Sequence, residues 1–220
     1  MSRILKGVLL MAATIGLSCS MSKKTYSDFP APARDLKQSG EQHVVLAAGC
    51  FWCVEGVFER LPGVTDVVSG YAGDREELAT YEIVCSGKTR HAEAVQVTYD
   101  ADKISYGTIL KIFFSIAHDP TQLNRQGGDV GTQYRSAIFV TNDEERAVAQ
   151  AYIKQLDDAK IFPSAIVTTI EPLEKFFVAE QYHQDYARLN PNQPYVASAA
   201  LPKIEKAEKV AQEMRAKSSE

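Results

Sequence analysis

The alternation of strand-like and helix-like apolar patterns between residues 43 and 188 constrains the fold more than any other feature. Strands are predicted at 43–47, 64–71, 92–99, 133–140 and 165–170, and helices at 51–61, 105–118, 141–158 and 173–188. Helices that recur between strands pack on the faces of a sheet. The order therefore predicts an α+β fold, with helices packed on a mixed sheet.

Two long connections interrupt this pattern, at about 72–90 and 119–132. Connections of this length inside a compact domain are uncommon and often carry function, so both are functional candidates. The chain of 220 residues has 24 basic and 28 acidic side chains, a net charge of −4. This balance argues against a chain-wide nucleic-acid interface. No apolar run after the N-terminus is long enough to predict a membrane bundle.

The N-terminus has the pattern of a secretory signal, which we place at residues 1–19. Arg3 and Lys6 precede an apolar stretch at 7–17 that is too short to span a bilayer. Cys19 resembles the acylated cysteine of bacterial lipoproteins; the alternative is ordinary cleavage between residues 18 and 22. We therefore expect an exported protein, either periplasmic or anchored to the cell envelope through Cys19.

The segments that flank the predicted domain at 43–198 are more polar. Residues 20–42 contain Pro30, Pro32 and Gly40, which favours a flexible linker. Residues 199–220 form a charged tail whose apolar residues recur every three or four positions. Two alternatives stay open for the tail, an amphipathic surface helix and a frayed end.

The string Gly49-Cys50-Phe51-Trp52-Cys53 lies where the first strand ends and the first helix begins. Free backbone N–H groups and the helix dipole at this position favour a thiolate, so we expect Cys50 to be reactive and open to solvent. Cys53 lies one turn later, within reach of a disulfide. A zinc site would need a second pair of ligands at suitable spacing, which the chain lacks, so we expect no metal and no cofactor.

Glu93 lies in a strand with alternating apolar residues. Period two places it on the face of Val95, Val97 and Tyr99, where burial would raise the pKa of its carboxyl and make it a general acid. If the other face of the strand is the core, Glu93 is a solvated side chain. The residues alone do not decide between the two.

Each long connection also carries a tyrosine beside glycine residues, Tyr81 in the first and Tyr134 in the second. A tyrosine hydroxyl is a neutral donor that can hold an oxygen atom, although a loop tyrosine more often only packs. The glycines at 127–131 do not match a phosphate-binding loop and precede a strand. Cys85 is most simply a buried core cysteine.

Seven strings in consistent order resemble the type A peptide methionine sulfoxide reductases, and the similarity spans about residues 43 to 196. They are G-C-F-W at 49–52, G-Y-A-G at 70–73, T-Y-E-I-V-C-S-G at 80–87, H-A-E at 91–93, H-D-P-T-Q-L-N-R-Q-G at 118–127, D-V-G-T-Q-Y-R-S at 129–136 and A-E-Q-Y-H-Q-D-Y at 179–186. The resemblance implies an α+β sandwich of ferredoxin-like character. It also implies reduction of methionine S-sulfoxide, free or in proteins.

The resemblance assigns a role to each matching residue. Cys50 matches the nucleophile, Glu93 the acid that protonates the sulfoxide oxygen, and Phe51 and Trp52 the walls that hold the S-methyl group. The polar cluster around that oxygen is matched by Tyr81, Asp129 and Tyr134. The mechanism implied is attack by Cys50, formation of a sulfenic acid, and reduction through a disulfide by a thioredoxin-like protein. We expect a monomer.

The chain departs from the commonest pattern of that family. Cys53 stands where glycine is more usual, no cysteine follows Cys85, and Arg90 stands where glycine often precedes His-Ala-Glu. We therefore expect Cys53 to resolve the Cys50 sulfenic acid. The rivals are a one-cysteine enzyme regenerated by an outside thiol, resolution by Cys85, an exported thiol–disulfide oxidoreductase, and a metal- or peptide-binding module.

Overall fold

The computed structural model describes residues 24–217, in which eight strands and six α-helices are present. The strands are β1 (Glu41–Ala48), β2 (Val64–Ala72), β3 (Ala92–Asp100), β4 (Arg125–Gln126), β5 (Asp129–Val130), β6 (Ser136–Val140), β7 (Thr169–Pro172) and β8 (Phe176–Val178). The helices are α1 (Phe51–Phe58), α2 (Tyr81–Cys85), α3 (Tyr106–Ile112), α4 (Asp143–Asp158), α5 (Tyr186–Leu189) and α6 (Leu201–Lys217). π-Helical turns extend α3 to residue 117 and lead into α6 at 196–200.

Six of the strands form one mixed sheet in the order β7-β6-β1-β3-β2-β8, and β4 and β5 form a separate hairpin. The β6–β7 pair is parallel, and the other pairs are antiparallel. Helices pack on this sheet, which confirms the predicted α+β class.

Strand β3 lies inside the sheet and is buried on both faces. Val95, Val97 and Tyr99 belong to the larger apolar cluster, which also contains Phe58 and Val57 of α1. A smaller cluster on the opposite face is built mostly from alanines, including Ala92 and Ala94. Period two therefore directs Glu93 to the side of the sheet that α1 covers.

The predicted helix at 173–188 is wrong. Residues 176–178 form β8, which pairs antiparallel with β2 so that Gly70 faces Val178. A Cβ at Gly70 would overlap the carbonyl oxygen of Phe177, so the close approach of β8 requires glycine there. Local spacing could not reveal this pairing, because it joins segments about a hundred residues apart.

Smaller differences concern strand ends and the second long connection. The strand predicted at 165–170 is β7, which starts at Thr169, and a 3₁₀ turn at 132–134 replaces the start of the strand predicted at 133–140. The connection at 119–132 contains the β4–β5 hairpin, which was not predicted.

The segments flanking the predicted domain contact it. Phe29 is buried, the Tyr152 hydroxyl donates to the Pro30 carbonyl at 2.9 Å, and the Gly107 N–H donates to Asp35 at 2.8 Å. Residues 24–40 therefore lie against the domain, which differs from the free linker predicted for 20–42. At the other end, α6 buries one face, Ile204, Ala207, Val210 and Ala211, as the amphipathic alternative predicts.

The predicted signal at 1–19 and the predicted acylation site Cys19 lie outside the described residues. Between residues 24 and 217, none of the helices combines the length and the apolar character that crossing a bilayer requires. The boundaries proposed for the signal and for the domain stay predictions.

Candidate active site

Gly49 makes the turn that delivers Cys50 to the start of α1. Its φ of +89° is rarely adopted by residues other than glycine, and a Cβ there would lie 2.6 Å from the Cβ of Gln126. Cys50 is the N-cap residue of α1, and its carbonyl accepts from the Cys53 N–H at 3.1 Å. The two sulfurs therefore lie on the first turn of one helix.

The Cys50 thiol is not open and ionised as the sequence predicted. It is 8% exposed, and burial, followed by the hydrogen bond it donates to Cys53, raises its pKa well above the ordinary value. The hydrogen bond from Cys50 lowers the pKa of the Cys53 thiol to about 7, and the charge of Lys203 adds to this effect. Of the two thiols, Cys53 is therefore the one that ionises more readily, because it accepts the hydrogen bond from Cys50.

Glu93 lies on the buried face of β3, and its carboxyl faces the start of α1. Its Oε2 accepts a hydrogen bond from the Phe51 N–H at 3.1 Å, and only 2% of the residue is exposed. Burial raises the pKa of the carboxyl to about 8 although this hydrogen bond lowers it. Glu93 is therefore protonated at neutral pH, as a general acid requires.

Cys50 and Glu93 both line a pocket of about 280 Å³. The residues that line it are Cys50, Phe51, Trp52, Tyr81, Glu93, Asp129, Tyr134, Gln193 and Tyr195. Seven of the eight residues predicted for the site are among them. The eighth, Cys53, lies behind Cys50 and is 2% exposed.

Tyr81 comes from the long connection before Glu93 and Tyr134 from the one after it. Both side chains line the pocket. Burial raises the pKa of both phenols, so both hydroxyls stay protonated and can donate. Both hydroxyls also hydrogen bond to the half-buried Cys85 thiol. Cys85 is therefore a half-buried neighbour of the site, and not the buried core cysteine that the sequence favoured.

Trp52 is the tryptophan of the pocket wall and is fixed on two sides. Its ring stacks on Tyr186 with centroids 3.8 Å apart, and its Nε1–H donates to His183 Nδ1 at 3.1 Å. Phe51 also packs on His183, with ring centroids 4.9 Å apart. Two rings held in this way form an apolar surface of fixed shape, suited to a methyl group.

Glu180 hydrogen bonds to two tyrosine residues at or near the pocket. Its carboxylate accepts from the Tyr71 hydroxyl and from the Tyr81 N–H, each at 2.9 Å. The second bond fixes the start of α2 and with it the position of the Tyr81 ring. These contacts give Glu180 a positioning role that the sequence did not reveal.

The sequence also missed Gln193 and Tyr195. The Tyr195 hydroxyl donates to Asp129 Oδ2 at 2.5 Å and lies 3.8 Å from Cys53 Sγ. His183 lies within the family-like string at 179–186, but no local motif indicated that Tyr195 belongs to the site. Among residues 24–217, no group of three or more histidine, cysteine or acidic side chains is arranged to hold a metal ion.

Comparison with known protein families gives one match over most of the chain. Residues 42–216 match the model of the family described as peptide methionine sulfoxide reductase. The match ends at residue 216, so it includes most of the predicted tail at 199–220.

Similar proteins and structures carry the same description. A protein of Mesorhizobium japonicum named peptide methionine sulfoxide reductase MsrA 2 is 53% identical over 75% of this chain and 85% of its own. One of the same name from Synechocystis is 46% identical over 87% of this chain and 94% of its own. The reduced form of Mxr1 from Saccharomyces cerevisiae superposes with a TM-score of 0.64 at 35% identity, covering 70% of this chain and 88% of that one. Methionine sulfoxide reductase A of Corynebacterium diphtheriae gives a TM-score of 0.59 at 34% identity, covering 71% and 78%.

Proposed function

Since the chain belongs to the peptide methionine sulfoxide reductase family and is an oxidoreductase, we propose that it reduces methionine S-sulfoxide, free or in proteins, through a sulfenic acid on Cys50. One observation carries the proposal most directly. Cys50 and the buried, protonated carboxyl of Glu93 line the same pocket, beneath a wall of two rings. A sulfoxide needs these three elements, namely a nucleophile for sulfur, an acid for oxygen and an apolar surface for the methyl group.

In the first step the Cys50 sulfur attacks the electrophilic sulfur of the sulfoxide. The Cys50 proton passes along its hydrogen bond to the Cys53 thiolate, which supports nucleophilic attack by a thiol whose own pKa is high. Glu93 gives its proton to the sulfoxide oxygen, and the Tyr81 and Tyr134 hydroxyls donate to the same oxygen. The oxygen then transfers to Cys50: a bond between the Cys50 sulfur and the oxygen forms, the bonds from the substrate sulfur to that oxygen and to Cys50 break, and methionine departs, leaving Cys50 as a sulfenic acid.

In the second step Cys53 attacks the Cys50 sulfur. A disulfide forms, and the sulfenic oxygen leaves as water. The placement of both sulfurs on the first turn of α1, with a hydrogen bond between them, supports Cys53 as the resolving cysteine. Cys85 hydrogen bonds to the two tyrosines and is less suited to this role.

The third step needs an outside dithiol. A thioredoxin-like protein supplies two electrons and two protons, opens the Cys50–Cys53 disulfide and returns both cysteines and Glu93 to their starting states. Because the pattern of residues 1–19 is that of a secretory signal, the proposal places the enzyme in the cell envelope, as a monomer that is either soluble or acylated at Cys19.

The reaction is tested by following oxidation of a thioredoxin-like reductant that depends on methionine sulfoxide. The two sulfoxide epimers are supplied separately, and Cys50→Ser is the control. Turnover with the S epimer alone, abolished in the variant, supports the proposal. Turnover with protein disulfides but not with the sulfoxide would instead identify a thiol–disulfide oxidoreductase.

Export and acylation have their own test. Mass spectrometry of the mature N-terminus from the native host gives the cleavage site, and a mass increase of acyl chains on Cys19 identifies the anchor. An uncleaved Met1 in the mature protein would contradict export.

A further inference from the structure

Tyr195 joins two members of the site that otherwise lie apart. Its hydroxyl oxygen is 2.5 Å from Asp129 Oδ2 and 3.8 Å from Cys53 Sγ. The hydroxyl has one proton, and the short bond to the carboxylate uses it. The lone pairs of the oxygen are therefore free to accept a proton from the Cys53 thiol.

Cys53 is enclosed, and this limits the routes by which it can lose a proton. It is 2% exposed, and its hydrogen-bond partners within residues 24–217 are Cys50 and Tyr195. When Cys53 attacks the sulfenic acid, Cys50 is the target of the attack. Tyr195 is then the remaining partner.

Asp129 supplies the other end of the connection. Its carboxylate lines the pocket together with Cys50 and Glu93, where the oxygen of the sulfenic acid leaves. A proton that reaches Asp129 is therefore on the side of the pocket where hydroxide must become water. Tyr195 lies just before the π-helical turn at 196–200, so its position is fixed by the segment that leads into α6.

We propose that Tyr195 relays a proton from Cys53 to Asp129 during formation of the Cys50–Cys53 disulfide. The inference rests on the proposed function, with Cys53 as the resolving cysteine. Cys53 Sγ gives its proton to Tyr195 Oη, and Tyr195 gives its own proton to Asp129 Oδ2. The sulfur–sulfur bond forms as the sulfur–oxygen bond of the sulfenic acid breaks. The departing hydroxide takes the proton from Asp129 and leaves as water, so no further reactant is needed.

Other charged groups face the resolving thiol. Lys203 of α6 favours its thiolate, while Asp129 and Glu93 oppose it, and Cys50 hydrogen bonds to it in the starting state. These groups remain in a Tyr195→Phe variant, which loses only the hydroxyl. A change in the pH dependence of disulfide formation in that variant therefore reports on the relay.

The test separates the two chemical steps. Reduced wild-type and Tyr195→Phe enzymes are mixed with one equivalent of methionine S-sulfoxide, and quenched samples are assayed for methionine and for the disulfide. Because Tyr195 also lines the pocket, the two rates are compared within each enzyme: we expect disulfide formation to slow about 10- to 100-fold, and by a larger factor than methionine formation. Tyr152→Phe removes a hydroxyl that donates to the Pro30 carbonyl, and it is the matched control for loss of one hydroxyl.

A pH jump provides a second measurement. In Tyr195→Phe the accumulated sulfenic acid should convert to the disulfide faster when the pH is raised from about 7 to about 9, because Cys53 then ionises without the relay. Disulfide formation at the wild-type rate in Tyr195→Phe would overturn the relay, and so would a slowing of methionine formation as large as that of the disulfide. Failure of wild-type enzyme to form methionine would instead overturn the proposed function.

Discussion

The Phe51 N–H donates a hydrogen bond to Glu93 Oε2 at 3.1 Å, so the first residue of α1 holds the carboxyl of β3. This bond uses a backbone donor that the sequence had suggested would stabilise a Cys50 thiolate. The consequence is a division of roles along the first turn of α1. Glu93 is held beside Cys50 in its protonated form, and Cys53 is the thiol of the pair that ionises more readily.

Replacing Glu93 with glutamine should slow methionine formation in a single turnover by about 10²- to 10⁴-fold, because the amide cannot give a proton to the sulfoxide oxygen. The amide keeps the size of the side chain and can accept from the Phe51 N–H. In the wild type, the rate should fall as the pH rises through about 8, where Glu93 ionises. A Glu93→Gln variant as fast as wild type at neutral pH would remove Glu93 from the role of acid.

The same substitution should change the pH dependence of stability. The ordinary pKa of the carboxyl is 4.5, and burial raises it to about 8 in the folded protein. Its contribution is fully present below about pH 4.5 and is lost as the pH rises through about 8, because the unfolded chain ionises first. The free energy of unfolding of wild type relative to Glu93→Gln should therefore fall across this window.

Urea unfolding at several pH values between about 5 and 9 measures this difference. Glu55 is buried, and its pKa is also raised to about 7, but it is present in both proteins and its contribution cancels. A difference between the two proteins that does not vary with pH would show that Glu93 is ionised in the folded state.

Cys53→Ser should keep one turnover and lose repeated turnover. Methionine formation should still produce about one equivalent per enzyme, more slowly because the serine hydroxyl is a poorer acceptor for the Cys50 proton. Recycling by a thioredoxin-like protein should fall by at least about tenfold, because no Cys50–Cys53 disulfide can form. The steady-state rate with the reductant measures this loss.

Cys85→Ser is the matched control for that experiment. Its hydroxyl can still hydrogen bond to Tyr81 and Tyr134, and we expect the same disulfide as in wild type, identified by peptide mapping. Undiminished recycling in Cys53→Ser would assign resolution to another thiol.

Gly49→Ala should displace the start of α1. The added Cβ would lie 2.6 Å from Gln126, and the φ of +89° is unfavourable for alanine. We expect a loss of roughly 1–3 kcal/mol in the free energy of unfolding, together with slower methionine formation. Gly128→Ala is the control, since nothing lies within 4 Å of a Cβ at that position. Equal stability of the two variants would show that the turn at residue 49 tolerates a side chain.

Much of the fold followed from the sequence, because most elements carry their own pattern. The alternation in β3 and the helical spacing of α4 each indicate the element type by their period, and both elements were predicted correctly. Strand β8 was missed because Phe176 and Phe177 also fit a helical pattern. What makes this segment a strand is pairing with β2, which local sequence does not encode.

The residues that form the site were predicted better than the protonation states of their side chains. Seven predicted residues line one pocket, but no local pattern indicates that burial outweighs the effect of the helix terminus on the pKa of Cys50. Burial depends on α6 and on the second long connection, which are distant in sequence. Tyr195 was missed for the same reason, since only the folded chain brings it to Asp129.

Analysis of a single turnover tests the central claim most directly. Reduced enzyme is mixed with methionine S-sulfoxide in the absence of reductant, and methionine and the disulfide connectivity are both determined. The account predicts one methionine per enzyme and a disulfide between Cys50 and Cys53, with neither product in Cys50→Ser. Methionine formation that persists in Cys50→Ser would contradict it.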